Sequence, residues 1–93
     1  MRVDKPIVRN ARPEDVPQLF GFVVDLAEYE REPEAVVSTA DMLRHALFPS
    51  DREPHVWAHV VVAPAAPKRL AGAAIWHLNF STWEGHHGIY VED

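Results

Sequence analysis

Apolar residues recur at intervals of three and four over the first third of the chain, at Val16, Leu19, Phe20, Val23, Leu26 and Ala27. Because this spacing places the side chains on one stripe of an α-helix, it predicts a helix that starts between Arg12 and Val16 and runs to about Glu30. Gly21 interrupts the stripe at a cost of about 1 kcal/mol relative to alanine. We therefore expect Gly21 to mark a place where another part of the backbone comes close.

A second, shorter helix is predicted over residues 40–48, where apolar side chains again recur at helical spacing. Ser38 or Thr39 can cap its N-terminus, since a hydroxyl oxygen accepts a hydrogen bond from the first turn. Pro49 stops the helix, because proline lacks the N–H group that a continuing helix requires.

Four further segments have the composition of β-strands: residues 6–10, 55–63, 70–82 and 89–93. Gly72 lies inside the third of them, where we expect either a β-bulge or the close approach of another backbone. The last three strands follow one another through short connections, so they are expected to be antiparallel. The order strand, helix, helix and three strands predicts one α+β domain or a part of one.

The composition limits the kinds of partner that this protein can bind. The 93 residues include 14 acidic and 9 basic ones, for a net charge of −5, which disfavours nucleic acids and anionic membranes and mildly favours cationic partners. An acidic balance that only keeps the protein soluble explains the charge equally well. No apolar run approaches the roughly 20 residues of a membrane helix. The absence of cysteine excludes disulfides and thiolate metal sites and fits a cytoplasmic location.

The six histidines do not predict a metal site. His86 and His87 are adjacent, and adjacent residues of a strand point to opposite faces of the sheet. His55 and His59 share a face, but four residues at about 3.3 Å each place them roughly 13 Å apart. One ion cannot bridge that distance, so no metal is expected.

Four glutamates cluster where the first predicted helix ends, within residues 28–34. Negative charge at a helix C-terminus opposes the helix dipole by about 0.3–1 kcal/mol per group. This unfavourable placement indicates a use, such as binding an amine. A solvated helix end, with Arg31 compensating the charge, explains the cluster equally well.

Trp83, Glu92 and Asp93 form the most specific candidate site. An indole face together with carboxylates can hold an alkylammonium group through cation–π contact and charge attraction. A carboxylate there could also take a proton, directly or through water, from an amine that must be neutral before it attacks. The alternative is structural, since a tryptophan at a turn often fills the core and carboxylates at a strand end are usually solvated.

Two long segments carry a family resemblance: residues 7–32, IVRNARPEDVPQLFGFVVDLAEYERE, and residues 70–93, LAGAAIWHLNFSTWEGHHGIYVED. The first resembles the opening strand and helix of GNAT-superfamily N-acetyltransferases, and the second is similar to the third and fourth strands of that family. Within them, AEYE, NFSTWEG and IYVED resemble the diamine branch, the spermidine/spermine N-acetyltransferase-like proteins. Separated motifs that match in order and spacing make this narrower resemblance the more specific one.

The resemblance implies acetyl transfer from acetyl-CoA to a primary amine such as a diamine or polyamine. It implies that Glu92 is the catalytic residue, as general base or as the group that orients the amine. It also implies that three residues bind the amine: Trp83 from the turn, Glu30 from the end of the first helix, and Asp93 beside Glu92. Family members are usually homodimers.

The family continues beyond the matched segments with a loop of the form Arg/Gln-x-x-Gly-x-Gly/Ala and a helix, which bind the pyrophosphate of coenzyme A. Residues 1–93 contain no such loop, so they are expected to form the N-terminal half of a GNAT domain, without cofactor-binding residues. Alone, the chain is expected to bind acetyl-CoA weakly and to be inactive. Its last strand and its uncovered apolar surface are expected to pair with a second copy or with a complementary C-terminal fragment.

Two other functions stay open. A non-catalytic GNAT remnant would serve as a dimerising or partner-binding module, with weak amine binding by Trp83 and Glu92. A small, unrelated α+β binding protein would share the order of helices and strands without the acetyltransferase chemistry.

Overall fold

The structure is a computed structural model that describes residues 5–92. Its helices and strands are, in chain order, β1 (Ile7–Asn10), a 3-10 turn (Pro13–Asp15), α1 (Val16–Tyr29), a second 3-10 turn (Pro33–Ala35), α2 (Ala40–Leu47), β2 (Val56–Val62), β3 (Leu70–Ser81) and β4 (His86–Val91). The strands form one sheet in the order β1-β2-β3-β4, and each neighbouring pair is antiparallel. The predicted α+β fold, strand-helix-helix followed by three antiparallel strands, is confirmed.

Local chemistry accounts for where the helices begin. Thr39, one of the two predicted caps, accepts a hydrogen bond at Oγ1 from the N–H of Met42 at 3.1 Å, which satisfies a donor of the first turn of α2. α1 begins at Val16, the late end of the predicted interval, because the preceding residues form a tighter 3-10 turn. A Cβ built on Gly21 would meet nothing within 4 Å, so the expected close backbone approach at Gly21 is wrong.

The connection between β3 and β4 is shorter than the sequence predicted. The turn occupies only residues 82–85 and is closed by a 2.7 Å hydrogen bond from the N–H of Gly85 to the carbonyl of Ser81. Gly85 has a φ of 76°, a left-handed conformation that glycine adopts at little cost. β4 therefore begins at His86 rather than at Ile89.

A β-bulge interrupts the pairing of β2 with β3 beside Gly72. Val61 pairs with Gly72 while Val62 pairs with Leu70, so Ala71 has no partner in β2. A Cβ on Gly72 would lie 4.0 Å from the nearest atom of Val61, an ordinary contact. Of the two expectations for Gly72, the bulge is therefore the one that occurs.

The hydrophobic core lies between the two helices and one face of the sheet. It consists of Leu19 from α1, Leu47 from α2, and Ala58, Val60, Val62, Leu70 and Ile75 from the strands. From Ala58 onward every second residue of β2 is buried, because alternate side chains of a strand point to opposite faces. We call this covered side of the sheet the helix face.

The opposite side of the sheet has no cover among residues 5–92. We call it the open face; the strand register places on it Val8, Trp57, Trp76, Leu78, Phe80, Ile89 and Val91. Val8, Leu78, Phe80, Ile89 and Val91 each expose between 48% and 68% of their surface. Several exposed apolar side chains on one face are uncommon on a soluble monomer.

A buried carboxylate joins β1 to the start of α1. Arg9 donates two hydrogen bonds to Asp15, at 2.8 and 3.1 Å, and the N–H of Arg12 donates a third at 2.8 Å. Asp15 itself is buried, with 4% of its surface exposed. The hydrogen bonds from Arg9, and after them the one from Arg12, hold the pKa of Asp15 below its usual value although burial acts in the opposite direction.

We expect the Asp15→Asn variant to be less stable at neutral pH by about 1–3 kcal/mol, since it leaves the Arg9 guanidinium without its counter-charge. Because the folded-state pKa of Asp15 is lowered, the carboxylate adds stability above its unfolded-state pKa and loses it as the pH falls through the folded-state value. Urea unfolding should therefore show a difference in the free energy of unfolding between wild type and variant that becomes smaller in acid. The exposed Asp25→Asn is the matched control. A difference of equal size at neutral and acidic pH would contradict this expectation.

Candidate functional site

Glu92 follows β4 directly, and the sheet holds its backbone in place. Its N–H donates to the carbonyl of Ile75 at 2.7 Å, which extends the pairing with β3. Residues opposite one another in an antiparallel pair share a face of the sheet, so Glu92 lies on the helix face beside the buried Ile75. Its side chain is 58% exposed and open to a ligand. Asp93, its predicted partner in amine binding, lies outside the described residues.

Two further polar side chains lie next to Glu92 on the helix face. His77 pairs with Tyr90 across β3 and β4, and their rings stack with centroids 5.1 Å apart. Nε2 of His77 lies 3.7 Å from Oε2 of Glu92, an ion-pair distance when the imidazole is protonated. A carboxylate, an imidazole and a phenol thus share one half-exposed site, which can bind a cation or exchange a proton.

Sequence reasoning assigned no role to His77. The residue is far from Glu92 along the chain, and only the register of β4 against β3 brings them together. The alternation of side chains along β3 would have indicated the shared face, had the turn been placed correctly at residues 82–85.

Trp83 lies at the far end of β4 from Glu92. It belongs to the turn that joins β3 to β4, and 97% of its surface is exposed. The 6 residues of β4, at about 3.4 Å each, span about 20 Å. The single pocket of indole and carboxylates that the sequence indicated is therefore absent from the described residues, and the separate roles of Trp83 and Glu92 stay predictions.

Glu30 caps the C-terminus of α1 and is exposed. Its N–H bonds to the carbonyl of Leu26 at 2.9 Å, and Arg31 follows with a φ of 62°, the left-handed conformation that commonly ends a helix. None of the glutamates in residues 28–34 forms an ion pair with another described residue. Their charge is therefore available to a cation, which agrees with both explanations of the cluster.

A cavity of about 440 Å³ lies beside β2 and β3, and Glu92 is not among its lining residues. Its walls include Trp57 and Trp76, whose rings stack at 4.8 Å, and His59, whose Nδ1 accepts a hydrogen bond from Nε1 of Trp76 at 3.0 Å. No acidic side chain lines this cavity, so it lacks the negative charge that would favour an ammonium group. The candidate amine site is the one around Glu92 on the helix face.

Metal clusters and membrane-spanning helices are absent from residues 5–92. Within that range no group of three or more histidine, cysteine, aspartate or glutamate side chains could hold a metal ion. His86 lies 3.2 Å from Glu84, but this pair lacks a third ligand among the described residues. The helices of the described part are too short or too polar to cross a membrane.

The chain is similar to acetyltransferases in sequence and in fold, although no family model matches it. It is 29% identical over 90 residues to the thialysine N-epsilon-acetyltransferases of Bos taurus and Sus scrofa, over 94% of this chain and 52% of each relative. Its fold matches the crystal structure of a possible acetyltransferase from Clostridium difficile 630, with a TM-score of 0.62 and 20% identity, over 95% of this chain and 55% of that one. The resemblance to GNAT-type N-acetyltransferases is confirmed.

The two helices and four antiparallel strands thus form a partial GNAT-like fold. The chain spans about half the length of the curated relatives that it matches. The structural likeness, at 20% identity, establishes the fold and leaves the activity to the chemistry of the site.

Replacing Trp83 with alanine should change the free energy of unfolding by less than about 0.5 kcal/mol, because the side chain is almost fully exposed. Replacing the half-buried Trp76 should cost more, about 1–3 kcal/mol, since it removes the stack on Trp57 and the hydrogen bond to His59. Urea unfolding of the two variants measures both losses. A loss for Trp83→Ala as large as that for Trp76→Ala would show that the Trp83 indole is packed and unavailable to a ligand.

Proposed function

We propose that this chain supplies the amine-binding side of a GNAT-type N-acetyltransferase domain that acetylates a primary amine. The observation that carries the proposal is the position of Glu92, a half-exposed carboxylate on the helix face at the end of β4, beside His77. Sequence similarity to N-acetyltransferases over 94% of the chain supports the reaction class.

Glu92 would accept the proton that the amine must lose. A protonated amine has no lone pair with which to attack a carbonyl carbon, so one N–H bond has to break first. The carboxylate takes the proton directly or through one water molecule, and its O–H bond forms as the N–H bond breaks. The exposure of the Glu92 side chain leaves room for either route.

The acceptor is proposed to be a primary amine on a cationic molecule. The name of the curated relatives specifies the ε-nitrogen of thialysine, and the AEYE, NFSTWEG and IYVED motifs resemble diamine and polyamine acetyltransferases. The net charge of −5 and the exposed Glu30 favour a cation, and Asp93 would add charge beside Glu92. Because about 20 Å separates Trp83 from Glu92, Trp83 would reach the same small amine only across an interface between two chains.

Acetyl-CoA is the proposed co-substrate, and it would supply the acetyl group as a thioester. The described residues do not fit its pyrophosphate, because Asp15 already accepts the N–H of Arg12 at the start of α1 and Asp41 lies in the first turn of α2. A helix start binds an anion through free N–H groups, and negative charge there opposes binding. We therefore propose that the contacts to coenzyme A lie outside residues 5–92. We also propose a cytoplasmic location, where the absence of cysteine is ordinary.

A second candidate function has its own structural support. The open face presents Leu78, Phe80, Ile89 and Val91 to solvent, and within the described residues β4 pairs on one side only. We infer that a second copy of the chain or a complementary fragment covers this surface. A chain that associates in this way without catalysing a reaction would be a dimerising or partner-binding module.

The Glu92→Gln variant tests the catalytic proposal in the full product of the reading frame. We expect turnover with thialysine or spermidine to fall by about 10²–10⁴-fold, because the amide cannot accept the proton, with little change in the Michaelis constant for the amine. Release of free coenzyme A thiol measures the rate. Glu84→Gln is the matched control, since Glu84 is exposed in the β3–β4 turn and far from the site.

Unchanged turnover in the Glu92→Gln variant would remove Glu92 from the reaction. A wild-type product that folds and yet acetylates neither amine would overturn the catalytic proposal for this protein. Association through the open face would then be its remaining candidate function.

A further inference from the structure

His77 is held between a backbone carbonyl and a carboxylate. Its Nδ1 lies 3.2 Å from the carbonyl oxygen of Leu78, and its Nε2 lies 3.7 Å from Oε2 of Glu92. A carbonyl oxygen can only accept a hydrogen bond, so this contact is a hydrogen bond in the tautomer that carries its hydrogen on Nδ1. In that neutral tautomer the other nitrogen has a lone pair, and that lone pair faces Glu92.

A position for one proton lies between Nε2 of His77 and the carboxylate of Glu92. With the imidazole neutral and the carboxylate charged, two acceptors face each other, which is unfavourable. With a proton on Nε2, the imidazolium faces the carboxylate and keeps its hydrogen bond to the carbonyl of Leu78. The pair therefore has a position for a proton that the carboxylate alone lacks.

The surroundings of His77 limit what else could determine its charge. From β4, Tyr90 stacks on the imidazole at an interplanar angle of 28°, and Glu92 is the charged neighbour. From β2, the residue opposite His77 is Val56, which carries no titratable group. The His77 side chain is 35% exposed, so a proton held there can still leave to solvent.

We propose that His77 is the proton acceptor behind Glu92, an inference that rests on the acetyl-transfer function proposed above. Glu92 takes a proton from the ammonium group; its O–H bond then breaks as an N–H bond forms at Nε2 of His77. The neutral imidazole becomes an imidazolium, and the carboxylate is regenerated next to the bound amine. At neutral pH an imidazole holds a proton far better than a carboxylate does, so the transfer keeps Glu92 available as a base.

His86 provides a comparison within the same chain. Its Nδ1 lies 3.1 Å from the carbonyl oxygen of His87, and its Nε2 lies 3.2 Å from Glu84. The local geometry is similar, but Glu84 belongs to the exposed turn, whereas the backbone N–H of Glu92 is bonded to Ile75 of β3. His86 is therefore a matched control with the same local contacts and no place at the candidate amine site.

Nuclear magnetic resonance of ¹⁵N-labelled histidines tests the pair in this chain without any need for activity. In alkali, where imidazoles are neutral, we expect His77 to carry its hydrogen on Nδ1. At a fixed pH near neutrality, Glu92→Gln should shift the Nε2 resonance of His77, because it removes the carboxylate that lies 3.7 Å from that nitrogen. Glu84→Gln should leave the His77 resonances unchanged and shift those of His86. A neutral His77 with its hydrogen on Nε2, or a His77 resonance that Glu92→Gln does not move, would overturn the proposal.

Turnover of the full product of the reading frame provides the second test. His77→Asn keeps a donor near the position of Nδ1 but has nothing at Nε2, and His77→Gln places an amide near Nε2 that cannot take a proton. We expect both to lower kcat at least tenfold and to leave KM for the amine nearly unchanged, while His86→Asn leaves kcat unchanged. Thermal unfolding checks that each variant is folded.

The outcomes separate this inference from the function on which it rests. If Glu92→Gln abolishes acetylation while both folded His77 variants keep the wild-type kcat, acetyl transfer stands and the role of His77 is overturned. If magnetic resonance instead shows that His77 and Glu92 interact while the wild-type protein acetylates no amine, the acetyl-transfer function is overturned. The role of His77 as proton acceptor is then overturned with it, although the two side chains do form a pair.

Discussion

Burial on one side only is the constraint on which the rest of this structure depends. Both helices pack on the same face of the four-stranded sheet. The core, which includes Leu19, Leu47 and Val60, lies between the helices and the sheet. The strands are nevertheless apolar on both faces, since Leu78, Ile89 and Val91 point away from the helices. A sheet with two apolar faces is typical of folds in which both are covered. Within residues 5–92 only one of the two apolar faces is covered, and we propose that a third layer covers the other.

One-sided burial also determines where the candidate site lies in the fold. β4 lies at an edge of the described sheet, so a carboxylate at its end can reach solvent while the backbone is still paired with β3. Alternation along the strands puts Glu92, Tyr90 and His77 on the helix face, where the core ends and half-exposed polar side chains begin. We propose that these residues form the amine side of the domain and that the contacts to the acetyl donor lie outside residues 5–92.

Periodic features of the sequence predicted the fold well. The three-and-four spacing of apolar residues predicted α1, and the cap at Thr39 predicted the start of α2. Turn geometry was harder to predict, since the left-handed Gly85 closes a turn of four residues and moves the start of β4 back to His86. The position of this turn sets the register of β4 against β3, and that register determines which side chains of the two strands are neighbours.

The candidate site was therefore only partly predictable. Glu92 and Glu30 follow from motifs, because each is defined by its neighbours in the chain. The proximity of His77 to Glu92 and the distance of Trp83 from it depend on the pairing of β3 with β4, which no local pattern specifies. The hydrogen bonds from Arg9 to Asp15 were likewise beyond sequence reasoning, because a folded β1 is needed to align them.

Sedimentation equilibrium of the chain tests most directly whether the open face is an interface. At micromolar concentrations the mass should approach twice 10.5 kDa, because pairing of two open faces removes the exposed apolar side chains from water. Ile89→Lys should shift the equilibrium toward the monomer, whereas Val37→Lys, at an exposed position in the connection between the helices, should not. A wild-type mass of 10.5 kDa at every concentration, together with a sharp unfolding transition, would show that the open face needs no partner.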